Sequence, residues 1–255
     1  ESLGCKVYSL NCKPDGHFSR GAEPIPDHLI NLSEIVVQKN ADVGFATDPD
    51  GDRLAVVDEN GHALGEEYTL TICADGLLKS TGSNLPIVTN LSTTISLDRI
   101  AENYGNLVIR TAVGEINVVE QMKECNALLG GEGNGGIILS ESHYGRDSLV
   151  GATLFLNRMA QDHQTVSQIF ESMPQFIMLK DKIELGSLDA QSAFEKIQTI
   201  FPDAETNTLD GLKLTWENSW VHIRKSNTEP IIRIYAEAPT KTKAKKIIDD
   251  VKSIL

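Results

Sequence analysis

Val43-Gly44-Phe45-Ala46-Thr47-Asp48-Pro49-Asp50-Gly51-Asp52-Arg53-Leu54-Ala55-Val56-Val57 sets three carboxylates at alternate positions between two short apolar runs. Carboxylates this close raise each other's pKa, and a divalent cation between them relieves the repulsion. Oxygen-only ligands on a short loop suit a hard ion such as Mg²⁺, which takes few protein ligands and completes its shell with water and a phosphate oxygen. A polar surface turn would explain Pro49 and Gly51, but not three aspartates with apolar flanks. Asp48, Asp50 and Asp52 are therefore candidate metal ligands.

A calcium loop of the helix–loop–helix kind is the competing reading. Counting from Asp48, acids fall at positions 1, 3 and 5, and Glu59 falls at 12. The glycine that such a loop needs at position 6 is Arg53 here, and Gly51 comes two places early. The flanks, 42–46 and 54–57, have the character of short strands and not of amphipathic helices. Glu59-Asn60-Gly61 then makes a turn, Asn-Gly being a strong hairpin signal. The pattern predicts a metal loop between two strands.

The chain has 255 residues, 40% hydrophobic and 23% charged, an ordinary globular balance. Its formal net charge of −13 argues against a nucleic-acid partner, since such surfaces are usually basic. No apolar run reaches the length of a membrane span, and no signal peptide is visible. Cys5, Cys12, Cys73 and Cys125 form no CxxC pair, which fits reduced thiols and a cytoplasmic protein. The chain begins at Glu1 without a methionine and soon enters a strand-like run at 6–11, as a piece of something longer would.

Three units follow from the pattern. Residues 1–64 read strand, proline-rich loop, a helix over 27–40 capped by Asp27, strand, metal loop, strand. Residues 65–172 alternate: helix 65–80, strand 85–91, helix 96–104, strand 107–110, helix 115–125, strands 127–129 and 137–139 around a glycine-rich loop, then a helix over 147–160. Such alternation predicts an α/β layer with a mostly parallel sheet. Residues 173–255 carry strands at 175–185, 211–215, 220–224 and 231–238, with helices at 190–200 and 241–254. Strands in runs with few helices predict a small α+β domain around an antiparallel sheet.

Two more polar constellations stand out. Gly130-Gly131-Glu132-Gly133-Asn134-Gly135-Gly136 lacks the Gly-Lys-Ser/Thr ending of a P-loop. Its carboxylate and amide, on a sharply bent backbone, suit sugar hydroxyls better than phosphate. Arg224-Lys225-Ser226-Asn227-Thr228-Glu229-Pro230, with Arg233 beyond, gathers guanidiniums, hydroxyls and loop N–H groups, the groups that bind phosphate. A metal loop, a hydroxyl reader and a phosphate clamp on successive units fit a phosphosugar and metal-assisted phosphoryl transfer.

On these motifs the chain resembles the α-D-phosphohexomutase family of phosphoglucomutases, phosphomannomutases and phosphoglucosamine mutases. Asp48 to Arg53 matches the family's magnesium loop, Gly131 to Gly136 its sugar-reading loop, and Arg224 to Pro230 its phosphate loop. Thr111-Ala112-Val113-Gly114-Glu115 is similar to a family stretch near the sugar. The resemblance implies mixed-sheet α/β domains followed by a small TATA-binding-protein-like α+β domain. Residues 1–64 would be the C-terminal part of domain 2, 65–172 domain 3 and 173–255 domain 4. It implies reversible phosphate transfer between O1 and O6 of a hexose, through a phosphoserine and a hexose 1,6-bisphosphate intermediate. Asp48, Asp50 and Asp52 would hold Mg²⁺, with Arg53 beside the phosphoserine. Gly114, Glu115, Glu132 and Asn134 would meet the sugar, and Arg224, Ser226, Asn227, Thr228 and Arg233 the non-transferring phosphate. The Ser-His-Asn-Pro-like segment that carries the family's nucleophile does not occur here. The chain would hold the metal, sugar and phosphate sites without the donor, and alone would be inactive. A non-catalytic sugar-phosphate-binding module is the alternative.

Overall fold

The structure, a computed structural model, describes residues 2–184, 190–226 and 229–255. Helix α1 (Ile30–Lys39) ends at Asn40, which adopts the left-handed conformation. Strands β1 (Val43–Thr47) and β2 (Leu54–Asp58) then pair antiparallel, Thr47 opposite Leu54, so that 48–53 form the connection between them. Leu29 and Val36 pack against Ala55 and Val57 and fix the helix to the ribbon. The Asp-rich connection therefore lies between two strands, as its apolar flanks predict, and the turn at 59–61 closes with Gly61 N donating to Asp58 O.

Two expectations for this unit fail. Residues 6–11 pair with no strand among the described residues and lie mostly exposed. Their alternation has no neighbouring strand to complete a ladder, and a lone strand leaves its backbone groups unpaired. Asp27 does not cap α1 either. It sits inside a short 3-10 turn, Pro26–His28, and the helix starts after Leu29. Pro26 at the first position of that turn sets its φ there and starts the turn one step early.

The second unit runs α2 (Glu67–Thr81), β3 (Ile87–Asn90), α3 (Ser96–Asn103), β4 (Val108–Thr111), α4 (Glu115–Cys125), β5 (Leu129–Glu132), β6 (Gly136–Leu139), α5 (Ser148–Asp162) and α6 (Val166–Ser172). The strand order is β4-β3-β5-β6, parallel except for the β5–β6 hairpin. Helix α2 is buried from Tyr68 to Leu78 on every side, which its all-round apolar character allows. Its one interior carboxylate, Asp75, is matched by Arg158 Nε of α5 at 2.5 Å and by the Tyr104 hydroxyl at 2.8 Å. The glycine-rich run is less a loop than the sequence predicts. Gly130, Gly131 and Glu132 belong to β5 and Gly136 to β6, leaving a tight turn at 133–135. Gly135 has φ +86°, and a Cβ there would stand 2.4 Å from the Leu54 carbonyl oxygen, so the turn can press onto β2 only as glycine.

The third unit runs β7 (Ile177–Glu184), α7 (Ala190–Ile200), β8 (Glu205–Asn207), β9 (Leu212–Trp216), β10 (Ser219–Lys225), β11 (Ile231–Ala238) and α8 (Lys241–Lys252). Its sheet, β7-β11-β10-β9-β8, is antiparallel at every pairing. Ile197, Val221, Ile223, Ile234, Ile248 and Val251 are among the residues that close its own core. The chain is thus mixed α/β followed by a small antiparallel α+β unit.

Buried polar groups join this sheet to the second unit. Lys213 Nζ donates to Leu91 O at 2.7 Å and lies 4.5 Å from the Trp220 ring centre. Glu237 Oε2 accepts from Trp220 Nε1 at 2.7 Å and from Ile95 N at 2.8 Å. His222 Nε2 faces the Asp210 carbonyl at 2.6 Å, and a carbonyl only accepts, so the proton sits on Nε2. Its Nδ1 then accepts from Ser92 Oγ at 2.8 Å. Burial pushes the His222 imidazole down to about 4, against the Asp210 carbonyl and with Lys213 adding to the fall.

Candidate functional site

The connection between β1 and β2 folds back on itself through Asp48, whose Oδ1 accepts from the backbone N–H of Asp52 and of Arg53, both at 3.1 Å. This draws one ligand oxygen each from Asp48, Asp50 and Asp52 to within 4.8 Å of one another. Asp48 is buried and Asp50 is exposed. Burial favours protonation of Asp48, but the Arg53 backbone N–H and the Arg53 charge help hold its carboxyl below the usual range. Asp52 goes the other way. Burial pushes its carboxyl up to about 6, with Arg146 opposing and Asp48 and Asp50 adding to the rise. Asp52 Oδ1 is buried and accepts no hydrogen bond. An oxygen-rich cluster with one such oxygen fits a hard divalent cation.

Arg53 reaches back to Asp48, with Nε 3.1 Å from Oδ2. It also forms an isolated bridge with Gly136, and Leu54 N donates to Gly135 O at 2.9 Å. These contacts lay the turn of the glycine hairpin against the metal loop. Glu132 is buried at the end of β5. Its Oε1 accepts from Asn90 Nδ2 at 2.7 Å and from Gly114 N at 3.2 Å, and its Oε2 from Arg146 at 2.8 Å. Gly114, at φ 127°, precedes α4, and Glu115 opens that helix. Glu115 Oε1 accepts from the Arg146 backbone N–H at 2.9 Å. Asn134 turns its carbonyl oxygen to Gly136 N at 3.1 Å. The sequence-predicted residues Asp48, Asp50, Asp52, Arg53, Gly114, Glu115, Glu132 and Asn134 thus come together, from three separate stretches of chain.

Two of the residues that the sequence predicts for phosphate, Arg224 and Arg233, lie on the third unit's sheet. Arg224 and Arg233 stand directly opposite each other in the β10–β11 register. Arg233 pairs with Glu229 at 2.6 Å, an exposed contact, and Arg224 Nε is buried without a hydrogen bond. Ser226 N donates to Ile231 O at 2.9 Å and closes the hairpin. Asn227 and Thr228 lie outside the described residues. Val113 N donates to Asp210 Oδ2 at 3.0 Å, and the carbonyl of the same Asp210 receives His222. The 111–115 stretch thereby links the second unit to the third.

Arg146 is the residue that the sequence reading misses. Its guanidinium touches Asp52, Glu132 and Glu115. Ser148 Oγ, two residues on, donates to Gly51 O at 2.6 Å and fastens the same segment to the metal loop. The available sequence signal is an arginine just before the Asp147 helix cap, outside every polar constellation that the sequence singles out.

Comparison with known proteins agrees with this layout. Residues 1–61 match the family description "Phosphoglucomutase/phosphomannomutase, alpha/beta/alpha domain II", 65–176 domain III, and 182–254 the C-terminal domain. The chain is 36% identical, over 97% of its length, to a phosphoglucomutase/phosphomannomutase of Thermococcus kodakarensis, and covers 54% of that protein. It is 29% identical, over 99% of its length, to a probable phosphoglucosamine mutase of Methanopyrus kandleri, covering 56% of it. A solved phosphoglucomutase/phosphomannomutase family protein of Burkholderia thailandensis superposes with a TM-score of 0.77 at 25% identity, over 90% of this chain and 50% of that one. An Aspergillus fumigatus N-acetylphosphoglucosamine mutase, solved with GlcNAc-6P and magnesium, shares the fold at TM-score 0.61 and 16% identity, over 82% of this chain and 51% of that one. The chain spans about half the length of the curated relatives it matches. With its three units matched in order to domains II, III and IV, the chain belongs to the phosphoglucomutase/phosphomannomutase family of phosphohexomutases.

Proposed function

We propose that this chain is the metal-, sugar- and phosphate-binding portion of a Mg²⁺-dependent phosphohexomutase. The whole protein would interconvert hexose 1-phosphate and hexose 6-phosphate through a phosphoserine outside this chain, with hexose 1,6-bisphosphate as intermediate and activator. The observation that carries the reading is the pairing of Arg224 with Arg233 across β10 and β11. Like charges directly opposite on neighbouring strands destabilise a sheet. An anion held between them reverses that cost, and a phosphate dianion suits two guanidiniums. Ser226, Asn227 and Thr228 on the adjoining loop would complete the grip.

At the other end Asp48, Asp50 and Asp52 would hold Mg²⁺, and the buried Asp52 Oδ1 without a hydrogen bond supports that assignment. When bound, the ion supplies positive charge to the transferring phosphoryl group. Arg53, oriented by Asp48, adds a second positive charge beside it. Glu115, Glu132, Asn134 and the Gly114 backbone would orient the hexose by its hydroxyls, which places the reacting oxygen toward the metal loop. Glucosamine, mannose and glucose phosphates are the candidate substrates, in keeping with the names of the relatives. The protein would work in the cytoplasm, without nucleic acid or membrane, alongside the missing N-terminal part of the same protein.

Two assays test this. The 255-residue chain should bind hexose 6-phosphates but not the free hexoses, and should show no mutase turnover even with Mg²⁺ and a bisphosphorylated primer. The full-length protein should turn over at least one of the three hexose phosphates. Equal binding of phosphorylated and free sugar, or turnover by the chain alone, overturns the assignment.

A further inference from the structure

We propose that Arg146 is the positioning residue that couples the metal loop to the sugar-facing carboxylates. Cation binding at Asp52 and hexose phosphate binding near Glu115 and Glu132 would then strengthen each other through one guanidinium. The inference rests on the reading of the site given above.

The geometry begins with the planar fork of arginine, whose donors are fixed relative to one another. One terminal nitrogen of Arg146 meets Asp52 Oδ2, the other meets Glu132 Oε2 at 2.8 Å, and Nε lies 3.4 Å from Glu115 Oε2. Each carboxylate comes from a different segment: the metal loop, the end of β5 and the start of α4. The arginine itself cannot drift. Its backbone N–H is held by Glu115, Asp147 N donates to Ile137 O at 2.9 Å, and Ser148 is tied to Gly51. Room for the side chain comes from the sequence, since a Cβ on residue 136 would stand 2.3 Å from Arg146 Cδ. Glycine at 136 is what lets the guanidinium pass.

Charge gives the arrangement its direction. Asp48, Asp50, Asp52, Glu115 and Glu132 share two guanidiniums, Arg146, only 15% exposed, and Arg53, whose Nε lies 3.8 Å from Asp52 Oδ1, so the carboxylates are under-compensated. Buried ionic groups of this kind are poor sources of stability. The arrangement gains sense if a further cation takes its share of Asp52. Arg146 occupies Oδ2 and leaves the buried Oδ1 without a hydrogen bond. A cation drawn to Oδ1 relieves Asp52 of its need for Arg146, and the guanidinium then serves Glu115 and Glu132 more fully. Those carboxylates become better fixed for a sugar. By linkage, a sugar that fixes them first must favour the cation by the same factor.

The test is Mg²⁺ titration of the 255-residue chain by calorimetry, with and without saturating glucosamine 6-phosphate, and mannose 6-phosphate as a second probe. In the unaltered chain the sugar phosphate should raise Mg²⁺ affinity about fivefold or more, the lower end of usual coupling between sites. Arg146→Met should bring that ratio to about one, with each ligand still binding alone. Arg146→Lys should lose the coupling too, because one ammonium cannot face three carboxylates in a plane; a general charge effect would instead be rescued by lysine. Gly136→Ala displaces Arg146 without removing it and should reduce the ratio, and it decides the matter if Arg146→Met does not fold. A ratio unchanged in Arg146→Met and Gly136→Ala, or no coupling in the unaltered chain, overturns the role of Arg146 alone. An unaltered chain that binds neither Mg²⁺ nor sugar phosphate overturns the functional reading with it.

Discussion

At Arg146 one guanidinium faces three carboxylates; at the other end two arginines, Arg224 and Arg233, stand opposite each other in the β10–β11 register. Both ends hold unbalanced charge, of opposite sign, and they hold it by different means. The acidic end is built from tight turns pressed together, with backbone N–H groups spent on Asp48 and Glu132. The basic end is the tip of a hairpin, where Arg233 rests on an exposed Glu229. An exposed ion pair contributes little, so a phosphate can displace Glu229 at small cost. The contrast teaches that the packed turns of the first end cannot be altered without touching the fold, whereas the exposed tip of the second can be altered with its structure kept.

The largest effect should come from breaking the acidic end at its tightest contact. Gly135→Val places a branched side chain at φ +86° and against the Leu54 carbonyl. It should cost about 3 kcal/mol or more of stability, read by urea unfolding; a loss below about 1 kcal/mol would mean that the hairpin and metal loop are not clamped together.

The seam that separates the two ends gives the next effect, and its sign is fixed by protonation. His222 titrates at about 4 in the folded chain against 6.5 when unfolded. Between those values the unfolded chain binds more protons, so this group's contribution to stability falls as pH drops from 6.5 toward 4. The full loss is on the order of 3 kcal/mol. Glu237, whose burial raises its pKa, works in the opposite sense over its own range. The comparison is therefore between the chain and His222→Gln, unfolded in urea at pH 7 and at pH 4.5. Parallel pH dependence in the two would remove His222 from the account.

At the basic end Arg233→Ala should weaken hexose phosphate binding by about 1.5–3 kcal/mol, the scale of a hydrogen bond to a charged group. The thermal midpoint should stay put or rise slightly, since a like-charge pair has been relieved. A lowered midpoint with unchanged affinity would make Arg233 a structural residue and blur the contrast. The smallest effect belongs to Asp50→Asn, at the exposed member of the triad. Mg²⁺ affinity should fall by only about 1 kcal/mol, with the fold intact, because asparagine keeps an oxygen ligand and water screens the lost charge at this exposed position. Calorimetric titration giving the same affinity in both proteins would take Asp50 out of the metal set.

Local chemistry decided a good part of this protein. The apolar runs beside the Asp triplet became β1 and β2, and 115–125 became α4 with the bounds that its pattern predicts. Period and turn residues act over a few positions, so one stretch of sequence is enough to read them. The three polar constellations were legible for the same reason. Residues 6–11 and Asp27 show where this stops: a strand needs a partner that its own sequence does not name, and a helix start depends on which of two adjacent turns wins.

What only the tertiary structure decided is the company each charge keeps. Arg146 is one arginine among many in the sequence, yet it meets Asp52, Glu115 and Glu132 because β5, α4 and α5 converge on the metal loop. The same holds for His222 and Glu237, whose pKa values move because the second unit covers them. Sequence specifies which groups can carry charge and how the nearest backbone bends. Burial and through-space partners, which set the energy of those charges, arise only when distant segments pack.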